Sequence, residues 1–164
     1  MGSRLGLCVI EDTIYIIGET SIEKYDVKQN LWSDVTDLPT KRSFTRSVAA
    51  LDGKIYIMGG TNNINWYDED DCYYDNIDSD YENYINSVDC FDTVTNTWIS
   101  VAHLNHARLS PGLVVINGSL IAVGWDKDRT IEEYNVINNT WTVREERLEK
   151  GIPLNGACVM KMNV

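Results

Sequence analysis

Histidine is scarce in this chain, and the scarcity removes much chemistry at once. Only His103 and His106 are present. Their i, i+3 spacing in an extended segment does not converge two imidazoles on one metal, and no cysteine or carboxylate stands at ligand spacing beside them. The four cysteines, Cys8, Cys72, Cys90 and Cys158, include no CxxC pair. Cys8, Cys90 and Cys158 fall in apolar strand-like runs, where buried free thiols are expected rather than bridges. No apolar run approaches the roughly 18 residues of a membrane span. The segment after Met1 is interrupted by Glu11 and Asp12, so no secretory signal is expected and the Asn117-Gly118-Ser119 and Asn138-Asn139-Thr140 triplets read as turns. Gly6 stands where a myristoylation signal carries Ser or Thr. There is no GxSxG elbow, P-loop or dinucleotide fingerprint. Helical periodicity is missing as well, apart from charged Arg144–Lys150, which is expected to form a helical turn.

What the chain does have is one pattern three times over. An apolar run ends in glycine at Gly18, at Gly59-Gly60 and at Gly124. An aromatic followed by Asp or Asn comes next (Tyr25, Phe91, Tyr134), with a Trp seven residues later (Trp32, Trp98, Trp141) and an Asn two before that Trp. A fixed internal spacing repeated in this way marks a repeat architecture. Gly18 to Gly59 is 41 residues and Gly59 to Gly124 is 65, which places about two dozen extra residues in the middle unit. Without them the period falls in the low forties, the range of four-stranded propeller blades. Each unit reads as an A-B-C-D meander, with Asp12-Thr13, Asp52-Gly53 or Asn117-Gly118 turning A into B.

The Gly-Gly strand end, the aromatic-to-Trp spacing and an Arg ten residues past the Trp (Arg42, Arg108) together resemble the kelch repeat, which forms β-propeller blades. Gly18-Glu19, Gly124-Trp125 and Gly151 depart from that pattern; a side chain at the second Gly costs energy if φ is positive there. The expected fold is all-β: a kelch-type propeller fragment of three four-stranded antiparallel blades plus one C-terminal strand. The repeats are placed at residues 4–43, 44–108 (with an insertion at 61–86) and 109–154, and an orphan A-like strand at 155–164 either closes the ring or opens a further blade. Trp32, Trp98 and Trp141 are expected at equivalent, largely buried sites between blades. Propellers usually hold four to eight blades, so open blade faces are expected to be covered by self-association or by another chain.

Net charge is −11, and residues 61–86 carry eight acids with no Lys or Arg, leaving about −3 for the rest. That acidity excludes nucleic acid as a partner. The insertion also holds Trp66, Tyr67, Tyr73, Tyr74, Tyr81 and Tyr84. An acidic tether without aromatics would be solvated filler; this composition also suits contact with a basic protein. Asp75–Asp80 lacks the central Gly and terminal Glu of a calcium loop, and the carboxylates have no fixed separation for acid/base work. No catalytic residue, cofactor or metal is therefore assigned. In the meander the insertion joins B to C, on the disc face that also carries the D-to-A connections with Lys41, Arg46 and His106. Arg42 and Arg108, at one repeat position, are read as blade-to-blade hydrogen-bond donors to carbonyls; Arg46, which has no repeat equivalent, is the better contact candidate. The kelch resemblance implies a non-catalytic protein-interaction module in the cytoplasm, similar to the recognition part of BTB-kelch ubiquitin-ligase adaptors. The Asn-, Ile-, Tyr- and Asp-rich insertion resembles poxvirus kelch proteins, which act on host pathways. The alternatives are an enzyme on a propeller scaffold, of oxidase or carbohydrate-isomerase type, and a non-functional fragment of a larger kelch protein.

Overall fold

The computed structural model describes residues 4–43, 46–61, 83–124 and 129–149, with side chains from Gly6 onward. Short runs of β-branched and aromatic residues, each closed by a tight turn, give twelve strands there. The first blade is β1 (Arg4–Ile10), β2 (Thr13–Gly18), β3 (Ser21–Asp26) and β4 (Leu31–Asp37). The second is β5 (Ser47–Leu51), β6 (Lys54–Met58), β7 (Val88–Asp92) and β8 (Thr97–Ser100). The third is β9 (Gly112–Ile116), β10 (Ser119–Val123), β11 (Thr130–Asn135) and β12 (Thr140–Arg147). Each sheet pairs its strands antiparallel in chain order, and the inner strands β1, β5 and β9 neighbour one another.

The turns explain much of the repeated sequence. Asp52-Gly53 and Asn117-Gly118 have positive φ at both positions, as a type I′ hairpin requires. In the first blade the turn falls on Glu11-Asp12, one residue earlier than the sequence suggests, because Thr13 already pairs with Ile10 and Glu11 takes the left-handed conformation. The Asn before each Trp is the left-handed residue of the C-D turn: Asn30, Asn96 and Asn139 have φ of 55°, 57° and 51°. Asn tolerates that region better than most side chains. The Asp or Asn after each aromatic accepts backbone N–H bonds within the same turn, as Asp26 does from Gln29 at 2.8 Å and Asn135 from Asn138 at 3.0 Å.

Two expectations are corrected in this part of the molecule. Arg144–Arg147 is not a helical turn but the end of β12, held by the Thr130↔Arg147 pairing to β11; the open edge of β11 offers the backbone more partners than a single isolated turn would. Missing second glycines also do not strain blade one. Gly18 is the last residue of β2, and Glu19 is not among the residues with positive φ. At Gly59 the requirement is real, with φ 69° and Arg108 O 2.7 Å from where a Cβ would stand.

The core lies between the sheets. Cys8, Tyr15, Ile17 and Ile22 of blade one meet Ile55, Ile57 and Phe91 of blade two. Tyr56, Met58, Val88 and Cys90 on the other side of blade two meet Leu120, Ala122, Tyr134 and Trp141 of blade three. The tryptophans are therefore graded rather than uniformly buried: Trp141 is 7% exposed, Trp98 half-buried and Trp32 49% exposed. Trp98 and Trp141 donate Nε1–H to Asp37 O and Ala102 O of the preceding blade, each at 3.1 Å. Cys8 and Cys90 are free and buried. Residues 62–82 of the insertion, with Trp66, Tyr67, Tyr73 and Tyr74, lie outside the described residues, as do Cys72, Trp125, Gly151, Cys158 and the 155–164 strand.

Candidate protein-interaction face

The connections between blades are tied down by two arginines. Leaving β4, the chain delivers Arg42 into blade two, where Nη1 donates to Gly59 O at 2.7 Å and Ser87 O at 3.1 Å. Its Nε and Nη2 reach Asp89 Oδ2 at 3.0 and 2.9 Å. Leaving β8, Arg108 enters blade three in the same way, with Nη1 on Gly124 O at 2.7 Å and Thr130 O at 3.1 Å, and Nη2 on Glu132 Oε1 at 3.0 Å. Both arginines and Glu132 are fully buried, so each pair is stabilising only because hydrogen bonds replace lost water. Glu132 is the better supplied: Asn105 N and Nδ2 donate to Oε2 at 2.7 and 2.8 Å, and His106 N to Oε1 at 3.1 Å. Burial pushes its carboxyl up, but the Asn105 and Arg108 bonds outweigh that and hold it below the usual range. Burial draws the Arg42 guanidinium down against the upward pull of Asp89.

These clasps set the stage for the insertion. Its root is sewn to both connections through backbone bonds: Ser43 and Thr61 exchange N–H···O at 2.9 and 3.0 Å. Arg108 N donates to Ile85 O at 3.2 Å, and Gly60 N to Arg108 O at 2.9 Å. Thr61 also pairs with Tyr84. The loop thus leaves and re-enters the blade between the two connections, beside exposed Lys41 and Arg46. His106 is one-third exposed, with Nδ1 3.5 Å from Glu132 Oε1 and from Thr130 Oγ1. Among the sequence-selected residues the structure brings Arg42 to Gly59, Arg108 to Gly124, and His106 beside Arg108's partner; Trp66, Tyr67, Tyr73 and Tyr74 stay outside the description. No cluster of His, Cys, Asp or Glu suited to a metal occurs among the described residues, and no described helix is long and apolar enough to cross a membrane.

Residues 44–105, spanning the second blade, match the Kelch motif. These are kelch repeats. The chain is 32% identical over 162 residues to kelch repeat and BTB domain-containing protein 2 of cowpox virus (strain GRI-90 / Grishak), covering 88% of this chain and 29% of that protein. It is 32% identical over 109 residues to kelch-like protein 31 of Danio rerio, covering 65% of this chain and 15% of the relative. Kelch-like protein 23 of Pongo abelii is 25% identical over 152 residues, with 83% and 23% covered. The chain therefore spans less than a third of the length of these relatives. Within the kelch blades, sequence reasoning missed Asp89 and Glu132 as the arginine acceptors. The signal was present, because an acid stands two residues before the aromatic in every repeat: Glu23, Asp89 and Glu132.

Proposed function

We propose that the chain is a non-catalytic protein–protein interaction module, whose contact surface is the face carrying the 61–86 insertion and the blade-to-blade connections. One observation supports this most: the insertion is rooted by backbone hydrogen bonds to both connections, so an acidic, aromatic segment emerges beside Lys41, Arg46 and His106. A loop this long on a blade is either functional or filler. Its eight acids with no Lys or Arg suit a basic protein, steered over roughly 8 Å at physiological salt, while aromatics supply contact area once docked. By likeness to the BTB-kelch relatives we read it as the recognition part of a ubiquitin-ligase adaptor, acting in the cytoplasm on host proteins if viral. Replacing residues 62–82 with a short Gly-Ser turn should leave the blades folded, while weakening partner capture and its salt sensitivity. Unchanged capture moves recognition to Arg46, Lys41 and His106.

A further inference from the structure

The three A-B hairpin turns differ in how they are held, and the third is held least. In blade one Val27 N donates to Asp12 O at 3.0 Å, which ties the C-D turn to the A-B turn. In blade two the same backbone bond, Thr93 N to Gly53 O at 3.1 Å, is doubled by Thr93 Oγ1 at 2.7 Å. Blade three has Val136 at that repeat position, two residues past the aromatic as Val27 and Thr93 are. Valine has no hydroxyl to donate, and no backbone bond closes on Gly118 O among the described residues. The Asn117-Gly118 turn therefore rests on the strand pairing Ile116↔Ser119 beneath it.

This loosely held turn contains a reactive pair. Asn117 and Gly118 are both exposed. A Cβ added at Gly118 would meet nothing within 4 Å, so the Gly118 nitrogen is unhindered. The Asn117 side chain makes no hydrogen bond among the described residues. By contrast, Asn30 and Asn139 Oδ1 accept tyrosine hydroxyls, and Asn86 and Asn105 Nδ2 donate to main-chain carbonyls. The peptide nitrogen after an asparagine can attack that side chain's carbonyl carbon where no Cβ crowds it and the backbone can rotate. Local opening of the turn supplies the rotation. The other Asn-Gly pair, Asn155-Gly156, lies outside the described residues.

We infer that Asn117 is a site of spontaneous covalent modification, a succinimide-forming asparagine gated by the missing tether of its turn. Gly118 N bonds to Asn117 Cγ, the Cγ–Nδ2 bond breaks, and ammonia leaves carrying the Gly118 proton. Water then opens the ring. Attack at Cγ gives aspartate at position 117, whereas attack at the main-chain carbonyl carbon routes the chain through the side chain as isoaspartate. Ammonia leaves and water enters, with no change of oxidation state. The aspartate product fits, since Asp52-Gly53 already makes this turn with φ of 50° and 71° against 51° and 78° here. Isoaspartate adds a methylene to a two-residue loop whose length sets the strand register. Behind that loop β9 brings Leu113 and Val115 to the core, so the modification loosens blade three with age, at the strand ends opposite the insertion.

Peptide mapping of the full chain, held at mildly alkaline pH in heavy-oxygen water, tests the inference. The comparison is with Asn30 and Asn96, whose following residues Leu31 and Thr97 carry side chains. Asn117 should convert at least about tenfold faster than either, a barrier difference of roughly 1.4 kcal/mol. Heavy oxygen should enter there, with both aspartate and isoaspartate formed. Val136→Thr restores the side-chain tether of blade two and should slow the conversion about fivefold, the worth of one ordinary hydrogen bond. The aged unmodified chain should melt at a lower Tm than when fresh, and Asn117→Asp should lose less over the same incubation. Conversion of Asn117 no faster than that of Asn30 or Asn96 would overturn the inference. An unchanged rate in folded Val136→Thr, or an equal loss of Tm in Asn117→Asp, would overturn it too.

Discussion

Glu132→Gln is nearly isosteric, so whatever it costs comes from charge and hydrogen bonding rather than volume. Glu132 is fully buried and receives three N–H groups from Asn105 and His106 besides the Arg108 guanidinium. A glutamine can offer one oxygen to that set; its amide nitrogen then faces N–H donors, and the Arg108 charge loses its counter-ion. Breaking one side of a buried pair typically costs about 3–5 kcal/mol, which for a chain of this length lowers Tm by roughly 6–20 °C. Urea unfolding followed by tryptophan fluorescence measures it directly. The pH dependence gives a second reading. Glu132 is held below its ordinary value, so between that lowered value and the unfolded value near ~4.3 the unfolded chain binds more protons than the native one. Its stabilisation is thus complete above about pH 4.3 and lost as pH falls through the folded value. The variant should lose that part of the acid sensitivity. A cost under about 1 kcal/mol with an unchanged acid profile would refute the clasp as a stabilising element.

Gly59→Ala should destabilise by about 2 kcal/mol or more, since a left-handed φ of 69° and the Arg108 carbonyl at 2.7 Å both oppose a Cβ; a neutral result in urea unfolding would count against that geometry. Across the tryptophans, Trp141→Ala should cost about 3–5 kcal/mol, Trp98→Ala less, and exposed Trp32→Ala under about 1 kcal/mol, and an equal cost at all three would reject the graded burial. Burial raises the Cys8 thiol to about 12 and the Cys90 thiol to about 11. At pH 8 only about one part in a thousand or less of either is thiolate, so mass spectrometry should find both unlabelled by iodoacetamide until denaturant is added.

Much of the fold was legible because the repeat writes its turns in residues with one backbone purpose. Asp-Gly and Asn-Gly located the A-B hairpins, and the aromatic-to-Trp spacing located strands C and D. The first hairpin was misplaced by one residue because Glu11, not a glycine, takes the left-handed position, and no propensity rule points to glutamate there. Arg144–Arg147 read as helical because its charges carry no period-2 signal, while the structure puts it on an edge where only one face needs to be apolar. Repeat equivalence predicted the burial of all three tryptophans, yet burial depends on what packs against each ring, and Trp32 is 49% exposed where Trp141 is 7%. The arginine positions were legible, but their acids were not: alternation placed Glu23, Asp89 and Glu132 beside an aromatic, and a carboxylate on a buried face is understood only once its cation is found. In the candidate site, charge and composition were open to sequence reading, whereas the stitching of Thr61 and Ile85 to both connections depends on backbone pairing between distant segments.

The clasps also carry a consequence in time. Each arginine lies on the connection that leaves one blade and finds its acid in the next, so during synthesis it must wait for strand C of a blade not yet made. Arg108 is separated from Glu132 by 24 residues, Arg42 from Asp89 by 47. At roughly 5–20 residues per second, the first wait lasts about 1–5 s and the second about 2–9 s. The insertion in the second blade thus roughly doubles the interval in which the first blade stands beside an unfilled clasp, its apolar inner face open to water and to other nascent chains.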